Sequence, residues 1–178
     1  MRRVVIFAAS LFALSACTAE PVPAPVSSVG APASTVTEPP SAQAPPAPEP
    51  VADGPCPYLE STAVADANGQ RVTKVRISAD KPHPACFFYR PDGTVQLTVR
   101  IYLGEPAIAT AIVDEAAPRA TSDPARSPQG WEGGSLSGEK GAVYAVAKDK
   151  AAVVVTSNQA QTIKARRIVE AVVAELGL

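Results

Sequence analysis

Val95-Gln96-Leu97-Thr98-Val99-Arg100-Ile101-Tyr102-Leu103 alternates without a break. Val95, Leu97, Val99, Ile101 and Leu103 fall on one side of an extended chain, with Gln96, Thr98, Arg100 and Tyr102 on the other. Successive strand side chains point to opposite faces, so this period of two predicts a sheet with one face on a core and one face wetter. Just before it, Arg90-Pro91-Asp92-Gly93-Thr94 is turn chemistry. Pro fixes φ, Asp bonds locally and Gly takes the left-handed position. Ala85 to Arg90, with Phe87, Phe88 and Tyr89, is then an adjoining antiparallel strand.

Upstream, about Arg71 to Ser78 predicts another strand, and Lys81-Pro82-His83-Pro84 a stiff loop. Cys56 to Ala67 predicts a short helix, with Pro57 near its start and Asn68-Gly69 closing it. Asn-Gly is equally a hairpin signal, so helix and hairpin both stand over residues 60–69. Downstream, Glu105-Pro106 opens a helix to about Ala116, with Ile108, Ala111 and Ile112 on one stripe. Residues 117–141 predict a long loop, punctuated by Pro118, Pro124 and Pro128. Irregular stretches of that length are often functional.

Strands are then expected over 142–147 and 152–156, turned at Lys148-Asp149-Lys150. Val153-Val154-Val155 is apolar on both faces, which suits a central, covered strand. Asn158 with Gln161 resembles a capping box opening the last helix. There Ala165, Ile168, Val169, Val172 and Leu176 form a stripe, while Arg166, Arg167 and Glu170 face water. The expected fold is α+β: one mainly antiparallel sheet of about five strands with helices packed on it, in the order α-β-β-β-α-β-β-α.

The N-terminus sets location. Arg2-Arg3 precedes an apolar run from Val4 to Leu14, broken only by Ser10, and Leu14-Ser15-Ala16-Cys17 follows. This describes a secretory leader over residues 1–16, and it resembles a bacterial lipobox, which implies a diacylglyceryl thioether on Cys17. The run is about half the ~20 residues a membrane span needs. Removing Arg2 and Arg3 with the leader would leave a net charge of about −3, which argues against nucleic acid. With no polybasic patch, two or more acyl chains must hold the membrane. Residues 17–55 predict the lipidated cysteine and a disordered linker, because eleven of the 38 residues from 18 to 55 are proline. The folded domain is expected over 56–178. Export leaves Cys56 and Cys86 as a disulfide pair in a permissive compartment.

Pro55-Cys56-Pro57-Tyr58-Leu59, Asn68-Gly69-Gln70, Pro84-Ala85-Cys86-Phe87-Phe88-Tyr89, Gly130-Trp131, Gly141-Ala142-Val143-Tyr144-Ala145-Val146 and Val155-Thr156-Ser157-Asn158-Gln159 carry a family resemblance. Together they resemble an actinobacterial family of secreted lipoproteins filed as domain of unknown function "twenty-twenty". That resemblance implies no assigned activity. The element order is also similar to small Mog1p/PsbP-like lipoprotein domains, mostly binding or accessory modules, though fold alone does not fix function.

No catalytic constellation is recognisable. His83 is the sole histidine and lacks a companion for a metal or triad. Gly133-Gly134-Ser135-Leu136-Ser137-Gly138-Glu139-Lys140 misses a phosphate-binding loop, because Glu139 stands where Lys must follow the last Gly. Ser135 and Ser137 lack the glycines of a nucleophile elbow, and the sequence neighbours Asp114 and Glu115 splay apart on a helix. Trp131, the sole tryptophan, with Gly130, Gly133 and Gly134, is the candidate binding element. It either anchors a partner or pins the long loop to the sheet; an exposed Ile163 would extend such a patch. The expectation is a monomeric, non-enzymatic, extracytoplasmic lipoprotein without cofactor or metal, engaging the membrane through its lipid and an envelope protein or wall component through its domain. The alternative is a small-molecule or lipid binder with a cleft under the 117–141 loop.

Overall fold

The alternating strand over Val95–Leu103 lies inside a wider sheet than its sequence predicts. The computed structural model describes residues 42–178; the leader and Cys17 lie outside the described residues. In chain order the elements are β1 (Ala52–Asp53), α1 (Ser61–Asn68), β2 (Lys74–Ile77), β3 (Cys86–Tyr89), β4 (Val95–Leu103) and α2 (Pro106–Ala116). Then come β5 (Asp123–Arg126), β6 (Glu132–Gly138), β7 (Gly141–Lys148), β8 (Ala151–Ser157) and α3 (Thr162–Leu176). One sheet orders them β1-β2-β3-β4-β8-β7-β6-β5, every neighbouring pair antiparallel.

This overturns the five-stranded α+β layout and its element order. The three additional strands are all at or near the edges. β5 contains Pro124, which a sheet tolerates at an edge because no ladder partner needs its missing N–H. β6, Glu-Gly-Gly-Ser-Leu-Ser-Gly, has no alternating apolar side chains to betray it. β1 is two residues long, inside the proline-rich stretch. Each takes its extended form from backbone pairing with a neighbour, a force that leaves no side-chain period. Residues 117–141 are therefore no single long loop.

The centre agrees with its sequence. Val153 and Val155 are buried on one face of β8 and Val154 on the other. α1 and α3 cover the first face, over a cluster that includes Phe88, Leu97, Val99, Tyr144, Val146, Ile168 and Val172. α2 covers the second, over Ala145, Ala152 and Val154. Alternate residues of one strand thus feed two different cores.

β4 departs from strict alternation at one residue. Phe88 pairs with Leu97 but Tyr89 pairs with Val95, so Gln96 is the extra residue of a β-bulge. Bulges re-aim side chains. Gln96, expected on the wet face, is 1% exposed, and Val95, expected in the core, is 39% exposed.

The first helix is a helix, not a hairpin, but it begins at Ser61, past Pro57. Gly69 closes it in the left-handed region (φ 72°), its N–H donating to Ala65 O. The capping box is not formed: Gln161 is the N-cap of α3 without a side-chain cap bond, and the Asn158 side chain bonds elsewhere. Cys56 and Cys86 form a disulfide, Cα–Cα 5.6 Å, tying the segment before α1 to β3. Contacts with the sheet begin inside the stretch assigned to the linker, where Ala44 packs against the α2-face cluster. No described helix is long and apolar enough to cross a membrane.

Candidate functional site

Trp131 sits where β5 turns into β6. The Ser127 N–H donates to Trp131 O (3.0 Å) and the Gly130 N–H to Ser127 O (3.1 Å). Gly130 occupies the left-handed region at φ 85° with nothing near an added Cβ, so its glycine serves the turn. The turn drives the indole inward: Trp131 is 3% exposed and belongs to the larger core cluster. Lys148 Nζ stands 5.9 Å from its ring centroid. The indole Nε1 is buried with no hydrogen-bond acceptor. Such an unpaired donor costs about 1–3 kcal/mol, so it marks a site that needs explaining.

The same ring lines a groove of about 310 Å³ between the hairpin turn, β7 and the end of α3. Its walls are Trp131, Tyr144, Val146, Val169, Val173 and Leu178; Ser127, Gln129 and Glu170 supply polar edges. Burial pushes the Tyr144 phenol above its ordinary range; Arg166 opposes that shift and Glu170 adds to it. Glu170 is itself held by Arg166 Nε at 2.7 Å. Chemically this groove offers apolar contact and few polar groups, with no nucleophile and base in contact.

Gly133 and Gly134 do not join it. A Cβ on Gly133 would strike the Ala145 carbonyl oxygen and come within 2.9 Å of Val113 Cγ1. One on Gly134 would strike Ser122 Oγ and reach 3.0 Å from Ala117 Cβ. Gly133 is glycine because the β7 backbone at Ala145 and the Val113 side chain of α2 lie against it, and Gly134 because the end of α2 and the segment after it do. Gly133 also borders a second cleft of about 430 Å³ on that side, whose charged lining is Arg119, Arg126, Lys148, Glu132 and Asp149. Arg119 pairs with Asp114 at 3.0 Å and Arg126 with Glu132 at 3.9 Å, so two of the three cations there have a carboxylate partner.

His83 meets Tyr58 edge to face, ring centroids 6.1 Å apart. The Tyr58 hydroxyl donates to Pro84 O at 2.7 Å, and burial, with Asp80 adding to it, raises its phenol well above the ordinary value. Among the described residues no three His, Cys, Asp or Glu side chains group as metal ligands. Ile163 is exposed, as expected, but does not line the groove.

A polar cluster with no periodic signature in the sequence joins the ends of three elements. Asn68, Gln96 and Ser157 are all buried. Asn68 Nδ2 donates to Gln96 Oε1 and to Asn158 Oδ1, each at 3.1 Å, and Ser157 Oγ donates to Asn68 Oδ1 at 2.7 Å. Gln96 Nε2 donates to Arg71 O at 3.0 Å, and Asn158 Nδ2 to Gln70 Oε1 at 3.0 Å. Lys164 Nζ reaches Asn68 O at 3.1 Å, answering a carbonyl at the C-terminus of α1. Fully satisfied buried networks specify a unique packing, and this one fixes α1, the β4 bulge and the end of β8 against α3. Its one sequence signal was the pair of segments Asn68-Gly69-Gln70 and Ser157-Asn158-Gln159, which carried the family resemblance and here meet in space.

No curated protein matches this chain. The two segments that meet in the amide cluster, the disulfide and the Trp131 hairpin all fall within residues 41–178, which match the family model described as Domain of unknown function (DUF2020), and the chain belongs to that family.

Proposed function

We propose that this protein is a lipid-anchored, extracytoplasmic binding module that takes a small, largely apolar ligand in the Trp131 groove. The groove itself carries the proposal: about 310 Å³, walled by Trp131, Tyr144, Val146, Val169, Val173 and Leu178. It stands at the lower end of small-molecule sites, which are concave, mostly apolar and edged by a few polar groups. The anchor and compartment are supported by Arg2-Arg3, the apolar run and Leu14-Ser15-Ala16-Cys17, and the Cys56–Cys86 disulfide suits an oxidising milieu. Trp131 is too deeply buried to project into a protein partner, so a ligand received by the domain fits better than an aromatic anchor offered to a partner. The role is binding rather than catalysis, because the groove's ionisable groups are a buried phenol and a carboxylate already paired with Arg166.

The sole tryptophan makes the test direct. Full-length protein is titrated with medium-chain fatty acids while Trp131 emission is followed. A saturable change is expected, and Ala174→Phe, which fills the groove from α3, abolishes it. Absence of any saturable response across chain lengths overturns the assignment of the groove.

A further inference from the structure

The sheet face under α2 carries a second built surface, unrelated to the Trp131 groove. Arg100, expected on the wet side of β4, donates from Nη2 to the carbonyl oxygens of two successive prolines, Pro45 at 3.0 Å and Pro46 at 3.1 Å. Ala44 packs into the α2-face cluster. Ala47 and Pro48 close over Ile112, Ala116 and Val154, bounding a space of about 300 Å³. The chain then joins the sheet edge, where the Val51 N–H donates to Ile77 O at 2.9 Å.

We propose that this face is a recognition seat for an extended proline-rich segment, and that its occupant is the chain's own residues 44–48. The chemistry is complementary. A proline-rich strand has few N–H donors to leave unpaired, and it presents carbonyls outward. A guanidinium supplies several donors and no acceptor. The apolar floor between β4, β8 and α2 receives the small side chains, and Arg100 reads the carbonyls. Docking of a preformed extended segment costs little ordering entropy, which is why such segments recur as ligands. The seat makes residues 44–48 an integral part of the α2 face.

Backbone relaxation on ¹⁵N-labelled full-length protein tests it. The amides of Ala44 and Ala47 are expected to have order parameters near the ~0.85 of rigid backbone, and Arg100→Ala is expected to drop them below about 0.6. Because Arg100 lies in a central strand, a second variant leaves the sheet untouched: Pro45→Gly with Pro46→Gly, which keeps both carbonyls but frees the backbone. It is expected to loosen residues 44–48 while β4 and β8 stay rigid. Adding a synthetic peptide of residues 42–49 to that double variant should then shift the Ile112, Ala116 and Val154 methyl signals saturably, and should leave wild type unmoved because its seat is taken. Mobile Ala44 and Ala47 amides in wild type, or no peptide-induced shift in the double variant, overturn the proposal. So does order at residues 44–48 that is lost on dilution, which would assign the seat to a second copy.

Discussion

The two faces of the central sheet are built on opposite plans. The α1/α3 face buries Phe88, Leu97, Trp131, Tyr144 and Ile168, large side chains filling a deep layer. The α2 face is shallow: Ala109, Ala117, Ala145 and Ala152 let the helix sit close, and among its buried residues Ile112, Val113 and Val154 add the bulk, with Tyr102, Ile108, Leu136 and Val143 partly buried around them. The deep layer is filled by its own strands and helices and opens at the Trp131 groove. A shallow one is completed by a segment from far away in sequence, Ala44 to Pro48, held by Arg100. The lesson is that small residues on a sheet face shift part of the packing onto whatever chain can lie across it.

The largest effect should come from truncating each layer. Leu97→Ala on the deep face is expected to cost about 4–5 kcal/mol, and Ile112→Ala on the shallow face about 2–3 kcal/mol, because residues 44–48 can settle into the space. Urea unfolding of both variants measures the difference; equal costs would break the contrast. The reverse substitution sharpens it. Ala145→Leu should destabilise by about 1–3 kcal/mol, since α2 has no slack to accept the added carbons, and the same melts should show it.

Alkaline pH should act through the deep face, where Tyr58 and Tyr144 are buried. Both phenols have folded-state values raised mainly by burial above the ordinary value of 10.0. Their contribution is therefore intact below about pH 10 and is lost as pH rises above it, with a slope of up to about 1.4 kcal/mol per pH unit per group. Tyr58→Phe should flatten that fall, and stability measured from pH 8 to 11 checks it; an unchanged slope would remove Tyr58 from the account. The smallest effect is expected outside both layers. Arg166→Ala breaks an exposed i,i+4 pair with Glu170, worth about 0.3–0.5 kcal/mol and screened by salt. A larger, salt-insensitive loss would show that the pair props the Trp131 groove.

Much of the site's setting was legible, but its geometry was not. Cys56 and Cys86 could be paired because the expected export, with Cys17 reserved for lipid, left no other partner. Trp131 stood out by being alone, yet whether it projects or is buried depended on a hairpin formed by Pro124 and a glycine-rich strand, neither of which carries a strand pattern. Gly133 and Gly134 looked like ligand-loop glycines; the Ala145 carbonyl of β7 at the first, and Ser122 and the end of α2 at the second, explain them instead. Asn68 and Ser157 are 89 residues apart, and nothing in either segment names the other.

By itself the sequence determined the central strands, the last two helices and the disulfide, and left residues 60–69 between helix and hairpin. Those follow from side-chain periodicity, cap residues and compartment, each of which acts over a few residues or on composition. The tertiary structure alone decided the edge strands, the inward turn of Gln96, the burial of Trp131 and the seating of Pro45 and Pro46 on Arg100. Those rest on backbone hydrogen bonds and close approach between distant segments, and such forces leave no period in the chain that makes them.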